Sequence, residues 1–212
     1  MVQPIPAPLE KMTDLKNRFG LTLVREASFF PEWFDVPTEV SELERFWRDR
    51  VQANFSSALD DPPVLENGVK RLMLSPLLDL AGFYQPPYRL ETEASIEIEA
   101  EDDGEIIQGR IDALVLRDRF WLVVIESKRS DFTVAKAIPQ ALTYMFGNPS
   151  PEQSTFGMIT NGNDFVFLKL VRQPDPYYAN SRLFSLINPG NELYEVLGVL
   201  KRIGTEISTC KE

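Results

Sequence analysis

Between residues 93 and 101 apolar and polar residues alternate without a break. Ala94, Ile96, Ile98 and Ala100 fall on one side, and Glu93, Ser95, Glu97, Glu99 and Glu101 on the other. Strand side chains point alternately to opposite faces, so this pattern predicts a half-buried antiparallel strand. Asp102-Asp103-Gly104 turns it into a second strand over 105–116, and Arg117-Asp118-Arg119 turns again into a third over 120–128. The third opens with an unbroken apolar run, 120–125, as a strand covered on both faces would. Apolar spacing of three and four predicts helices at 41–57, 64–81 and 192–207, and further helices are read at 9–19, where periodicity is weak, and within 133–146. Ser41-x-x-Glu44 is a capping box for the second of these, with Leu43, Phe46, Trp47, Val51 and Phe55 expected on or near its core side. Pro76 predicts a kink or a division in the third, and Pro139 either a kink or the start of the working part of the fourth. Short strands are expected at 21–25, 154–160, 165–171 and 183–187. The middle pair is joined by Asn161-Gly162-Asn163-Asp164, a strong hairpin signal. The segment around Pro174 and Pro176 reads as a loop. The order of elements is that of a mixed α/β (α+β) domain. Residues 1–63 form an N-terminal extension packed on a core of 64–212, within one compact unit.

Composition narrows the chemistry more than the fold. The chain has 212 residues, 43% of them hydrophobic, enough for a substantial core in a single domain. It contains no histidine, which removes the commonest general base, the His-dependent nucleophiles and His-containing zinc sites. Its one cysteine, Cys210, makes neither a disulfide framework nor a thiolate cluster. Any bound metal is therefore held by oxygen, which favours magnesium, manganese or calcium. There is no P-loop and no dinucleotide fingerprint, so no nucleotide cofactor is expected. No signal-peptide pattern or membrane-length apolar run occurs, and the expected location is cytoplasmic.

Three polar residues break the apolar strands. Glu126 and Lys128 are two apart at the end of the third strand, and Asp112 lies on its predicted neighbour. Carboxylates and an ammonium gathered at the edge of an apolar sheet are costly unless something uses them. Their types fit a divalent-metal site for cutting phosphodiesters. Two carboxylates leave coordination positions for phosphate and water, and a lysine beside them either accepts a proton or stabilises charge. The plain alternative is a cross-strand ion pair between Asp112 and Lys128, with Glu126 at a solvated strand end. Gln140 and Tyr144, four apart on the next helix, stack on one face. Glu66 opens the third helix, where the helix dipole alone would favour a carboxylate.

In this combination the chain resembles the PD-(D/E)xK nuclease superfamily, of restriction-endonuclease-like fold, and within it the N-terminal nuclease domain of type I restriction enzyme R subunits. The likeness runs over about residues 64–171: Glu66 with VKRLMLSPLLDLAGF, then GRIDALVL, VVIESKR, AIPQALTYM and FGMITNGNDFVFL. It implies an α-β-β-β-α-β core. It implies Asp112 and Glu126 as metal-binding carboxylates, the main-chain carbonyl of Ser127 as a third protein ligand, and Lys128 as the residue that orients or deprotonates the attacking water. It implies Glu66 as an acidic residue supplied by the first core helix, and Gln140 with Tyr144 as a pair that contacts DNA or supports the site. The metal would be Mg2+, with Mn2+ as a substitute, and the substrate DNA. Ile111 stands where the nominal motif has proline, and no helicase motor of the R-subunit kind is expected within these 212 residues.

The charge balance opposes part of this. The formal net charge is −10, and eight acidic residues fall between Glu91 and Glu105, whereas phosphate contacts need Lys or Arg. Basic clusters occur at Arg45/Arg48/Arg50, Lys70/Arg71 and Lys128/Arg129, and Lys136 lies just beyond the site. Weak intrinsic DNA affinity is expected, supplemented by a homodimer mate or a partner subunit. The rival reading is a catalytically silent nuclease-like module that binds DNA or protein within a larger complex.

Overall fold

The computed structural model describes residues 5–6, 11–34, 36, 41–61, 63–99, 106–117, 120–126 and 130–206. Among them nine strands form one mixed sheet. They are β1 (Ile5–Pro6), β2 (Thr22–Leu23), β3 (Arg89–Glu99), β4 (Ile106–Arg117), β5 (Phe120–Glu126), β6 (Thr155–Thr160), β7 (Asp164–Val171), β8 (Tyr177–Asn180) and β9 (Phe184–Ser185). The helices are α1 (Met12–Phe19), α2 (Glu42–Leu59), α3 (residues 66–80), α4 (Ile138–Phe146) and α5 (Leu193–Glu206). β3, β4 and β5 pair antiparallel in sequence order, as the alternation predicts. After α4 the chain returns as β6, parallel to β5, because a parallel neighbour needs a crossover rather than a hairpin. The β6–β7 hairpin turns at Asn161-Gly162, where Gly162 has φ 86° and an added Cβ would lie 2.3 Å from the Phe55 ring of α2. β1 lies parallel to β4 and β2 parallel to β8, so parts of the first 63 residues extend the same sheet.

Two apolar clusters lie on opposite faces of this sheet. One joins Phe55 of α2, Val69, Met73 and Leu77 of α3, and Val196 and Leu200 of α5 to Ala113, Val115 and Leu122 of the strands. The other joins Leu15 of α1 and Ala141, Leu142 and Tyr144 of α4 to Ile111, Leu114 and Leu168.

Three readings change at this level. The Ser41–Glu44 capping box is present, but α2 buries Arg48, Val51 and Phe55, while Leu43, Phe46 and Trp47 are exposed. Each pattern has helical spacing, and packing against α5 and the β6–β7 turn selects the second. The segment after Pro176 is a strand, β8, because it pairs with β7 and receives β2. In α3, the division expected at Pro76 is a π turn over Lys70–Leu74, in which Ser75 N–H donates to Lys70 O five residues back. The extra residue rotates the later part of the helix, so its buried face runs through Val69, Met73, Leu74, Leu77 and Leu78. Pro139 lies in the first turn of α4 and does not kink it.

Candidate functional site

Asp112 owes its position to a local break in strand alternation. Upstream, Ile111 belongs to the α1/α4 cluster, and Gly109 lies under Tyr144. Downstream, Ala113 and Val115 belong to the α2/α3/α5 cluster, while Leu114 and Leu116 face α1/α4. The odd-numbered residues therefore change sides at Asp112. On β3 the same change occurs between Leu90 and Ala94. The ladder runs through Thr92–Ala113 and resumes at Ala94–Ile111, skipping Glu93 and Asp112. Glu93 takes the strain, with φ 57° in the left-handed region. As a result Asp112 shares the α3 side with Ala113, where regular pleating would have put consecutive residues on opposite faces.

On that side it meets α3. Lys70 Nζ donates to Asp112 Oδ1 at 3.1 Å and to Glu66 Oε1 at 3.4 Å. The side chains are partly accessible: 23% for Asp112, 27% for Lys70 and 37% for Glu66. Two carboxylates from separate elements thus converge on one positive charge at the solvent edge of the core. The donors are all oxygens, which suits a hard divalent ion. Among the described residues no group of three acidic, histidine or cysteine side chains is close enough to form a complete metal site, so Glu66 and Asp112 would be partial ligands.

Glu126 is the last residue of β5, in register with Thr160 of β6. The β4–β5 ladder ends at Ala113–Val124, so Asp112 and Glu126 lie one and two steps beyond it. Ser127, Lys128 and Arg129 are outside the described residues. The chain on their far side is anchored. Ser130 N–H donates to Val64 O at 3.2 Å, and Val64 N–H donates to Ser130 Oγ at 3.1 Å, just before Glu66. Buried Asn161 donates to the carbonyls of Ser130 (3.3 Å) and Phe132 (2.9 Å). It also accepts from the main-chain N–H of Asn163 and Asp164. One asparagine therefore couples the β6–β7 turn to the segment that follows Lys128.

Gln140 and Tyr144 meet each other: Gln140 Nε2 donates to Tyr144 Oη at 3.1 Å. Tyr144 is 2% exposed and belongs to the α1/α4 cluster, on the face of the sheet away from α3. Its ring occupies the space above Gly109, where an added Cβ would approach Tyr144 Cε1 to 2.1 Å. That burial packs it against β4 at Gly109, three residues before Asp112. The basic clusters are also redistributed. Arg48 is buried, with its guanidinium 4.6 Å from the Tyr194 ring centroid and its pKa pushed down by burial, and Lys70 is engaged by carboxylates. Arg45, Arg50 and Arg71 remain exposed. Sequence reasoning did not single out Lys70 as a site residue. Its signal, Glu66-x-x-x-Lys70, is that of an ordinary surface helix pair.

Helix α3, the meander β3–β4–β5, helix α4 and the parallel strand β6 form a restriction-endonuclease-like core. Its carboxylate-bearing positions lie on α3, in β4 and at the end of β5. The family model for the type I restriction enzyme R protein N terminus matches residues 36–175. The chain belongs to that family and is a restriction-enzyme-related domain. No curated protein matches the sequence.

Proposed function

We propose that this domain is a divalent-metal-dependent endonuclease that hydrolyses phosphodiester bonds of DNA, in the manner of restriction-type defence. The observation that carries the reading is the convergence of Glu66 and Asp112, from α3 and the break in β4, on a single cation-holding position. Membership of a restriction-enzyme family supports it. Asp112 and Glu126, with the Ser127 carbonyl, would hold Mg2+ or Mn2+, and Glu66 would complete the acidic lining. A bound ion of this kind lowers the pKa of water and neutralises charge growing on the phosphate. Lys128 then orients or deprotonates the attacking water, or stabilises the phosphorane as an ammonium. Gln140 and Tyr144 hold β4 from below. Among the described residues Arg48 is buried and Lys70 is engaged by carboxylates, which leaves Arg71 as the exposed cation of α3. DNA affinity is then supplied in part by a partner subunit or a second copy.

The test is plasmid nicking in Mg2+ or Mn2+ by wild type, Asp112→Asn, Glu126→Ala and Lys128→Ala. Each variant is expected to lose at least about a hundredfold in rate. Cleavage at full rate in Glu126→Ala and Lys128→Ala would remove the site assignment. Absence of both cleavage and metal-dependent stabilisation in wild type would favour a silent binding module.

A further inference from the structure

The ion pair that links α3 to β4 has an unusual position for a plain structural clip. Lys70 is one turn into α3 from Glu66, and its ammonium bonds that carboxylate and the one carboxylate that the β4 break turns toward the helix. All three side chains are partly solvent-accessible, so the ammonium can leave without stranding a buried charge. Lysine is a compact charge on a flexible four-carbon stem, able to exchange partners by rotation of its own side chain. It lies in the π turn of α3, where the backbone register shifts.

We infer that Lys70 is the resident counter-cation of the metal site: it holds Asp112 and Glu66 together while no divalent ion is bound, competes with that ion for the same oxygens, and is released toward the substrate side when the ion binds. This rests on the reading of the site as a metal site and adds a residue and a direction of exchange to it. The exchange is of noncovalent partners only. It lets the acidic cluster stay preformed without paying for mutual repulsion, and it frees one positive charge beside the phosphate when the ion is present.

The test is isothermal titration of Mn2+ into the full chain without DNA. Wild type should bind, Asp112→Asn should lose binding, and Lys70→Gln should bind about five- to tenfold more tightly, at the low end of the usual coupling between two linked binding equilibria. Lys70→Arg, which keeps the charge, should restore wild-type affinity. On wild type alone, acylation of Lys70 by an amine-reactive reagent, read by mass spectrometry, should rise when Mn2+ is added, with exposed Lys16 of α1 as the unchanging reference. Wild type that does not bind Mn2+, or binding that is indifferent to Asp112→Asn, overturns the metal reading and this inference with it. Binding that needs Asp112 but is no tighter in Lys70→Gln, or Lys70 acylation unmoved by Mn2+, overturns this inference alone.

Discussion

At the scale of single residues the site depends on one break in strand alternation and one close approach to a glycine. Glu93 holds a left-handed backbone conformation opposite Asp112, at a cost of about 1–2 kcal/mol for a non-glycine residue. Glycine there removes that strain, whereas glycine at the regularly paired neighbour Thr92 only weakens a strand. Glu93→Gly is therefore expected to be neutral or stabilising in urea melts, and Thr92→Gly destabilising by roughly 0.5–1 kcal/mol. A larger loss for Glu93→Gly would show that its side chain, not its backbone, matters to the fold. The close approach is at Gly109. Gly109→Ala drives a methyl group into the Tyr144 ring and should cost about 1–3 kcal/mol by the same measurement. The sequence shows an aspartate on a strand and a glycine before it, but neither the break nor the ring above the glycine is written in the local pattern.

At the scale of elements, α2 shows how periodicity leaves a choice open. Val51 and Phe55 are shared by two stripes, one continuing through Leu43–Phe46–Trp47 and the other through Arg48, and hydrophobicity alone favours the first because an arginine sits in the second. The buried stripe is nevertheless the second: Phe55 fills the space against Gly162 at the β6–β7 turn, and the Arg48 guanidinium lies over Tyr194 of α5. Phe46→Gln is therefore expected to change stability by less than about 0.5 kcal/mol, and Phe55→Ala to cost about 3–5 kcal/mol, in chemical denaturation. A larger cost for Phe46→Gln than for Phe55→Ala would mean that α2 sits with the other face inward. The capping box, by contrast, was legible, since it is a contact between residues three apart.

At the scale of the whole molecule, Glu44 does double service. It closes the α2 capping box and bonds Lys201 of α5, and the Lys201 ammonium, with the Ser41 main chain, holds its carboxyl down to about 2. A carboxyl with a lowered folded-state pKa stabilises above its ordinary value of 4.5 and loses that contribution as pH falls toward about 2. The difference in melting temperature between wild type and Lys201→Met should therefore be constant above about pH 5 and shrink between 4.5 and 2. The pair is partly exposed, so the difference near neutrality corresponds to about 1 kcal/mol or less. A difference that did not narrow in acid would show that α2 and α5 are joined by packing alone.

The sequence by itself determined the five helices, the three-strand meander, the hairpin at Asn161-Gly162 and an oxygen-only set of candidate metal donors. Each is local or compositional: a period of two or 3.6, a turn pair, the absence of histidine. It also marked Glu66 and Asp112 as site candidates, though not that they would converge. Only the tertiary structure decided which way Asp112 faces, that Lys70 stands between it and Glu66, that Tyr144 is buried against Gly109, and which stripe of α2 lies inward. These outcomes depend on contacts between residues tens of positions apart. A pattern read along one strand or helix shows which faces exist, but packing chooses which of them meet.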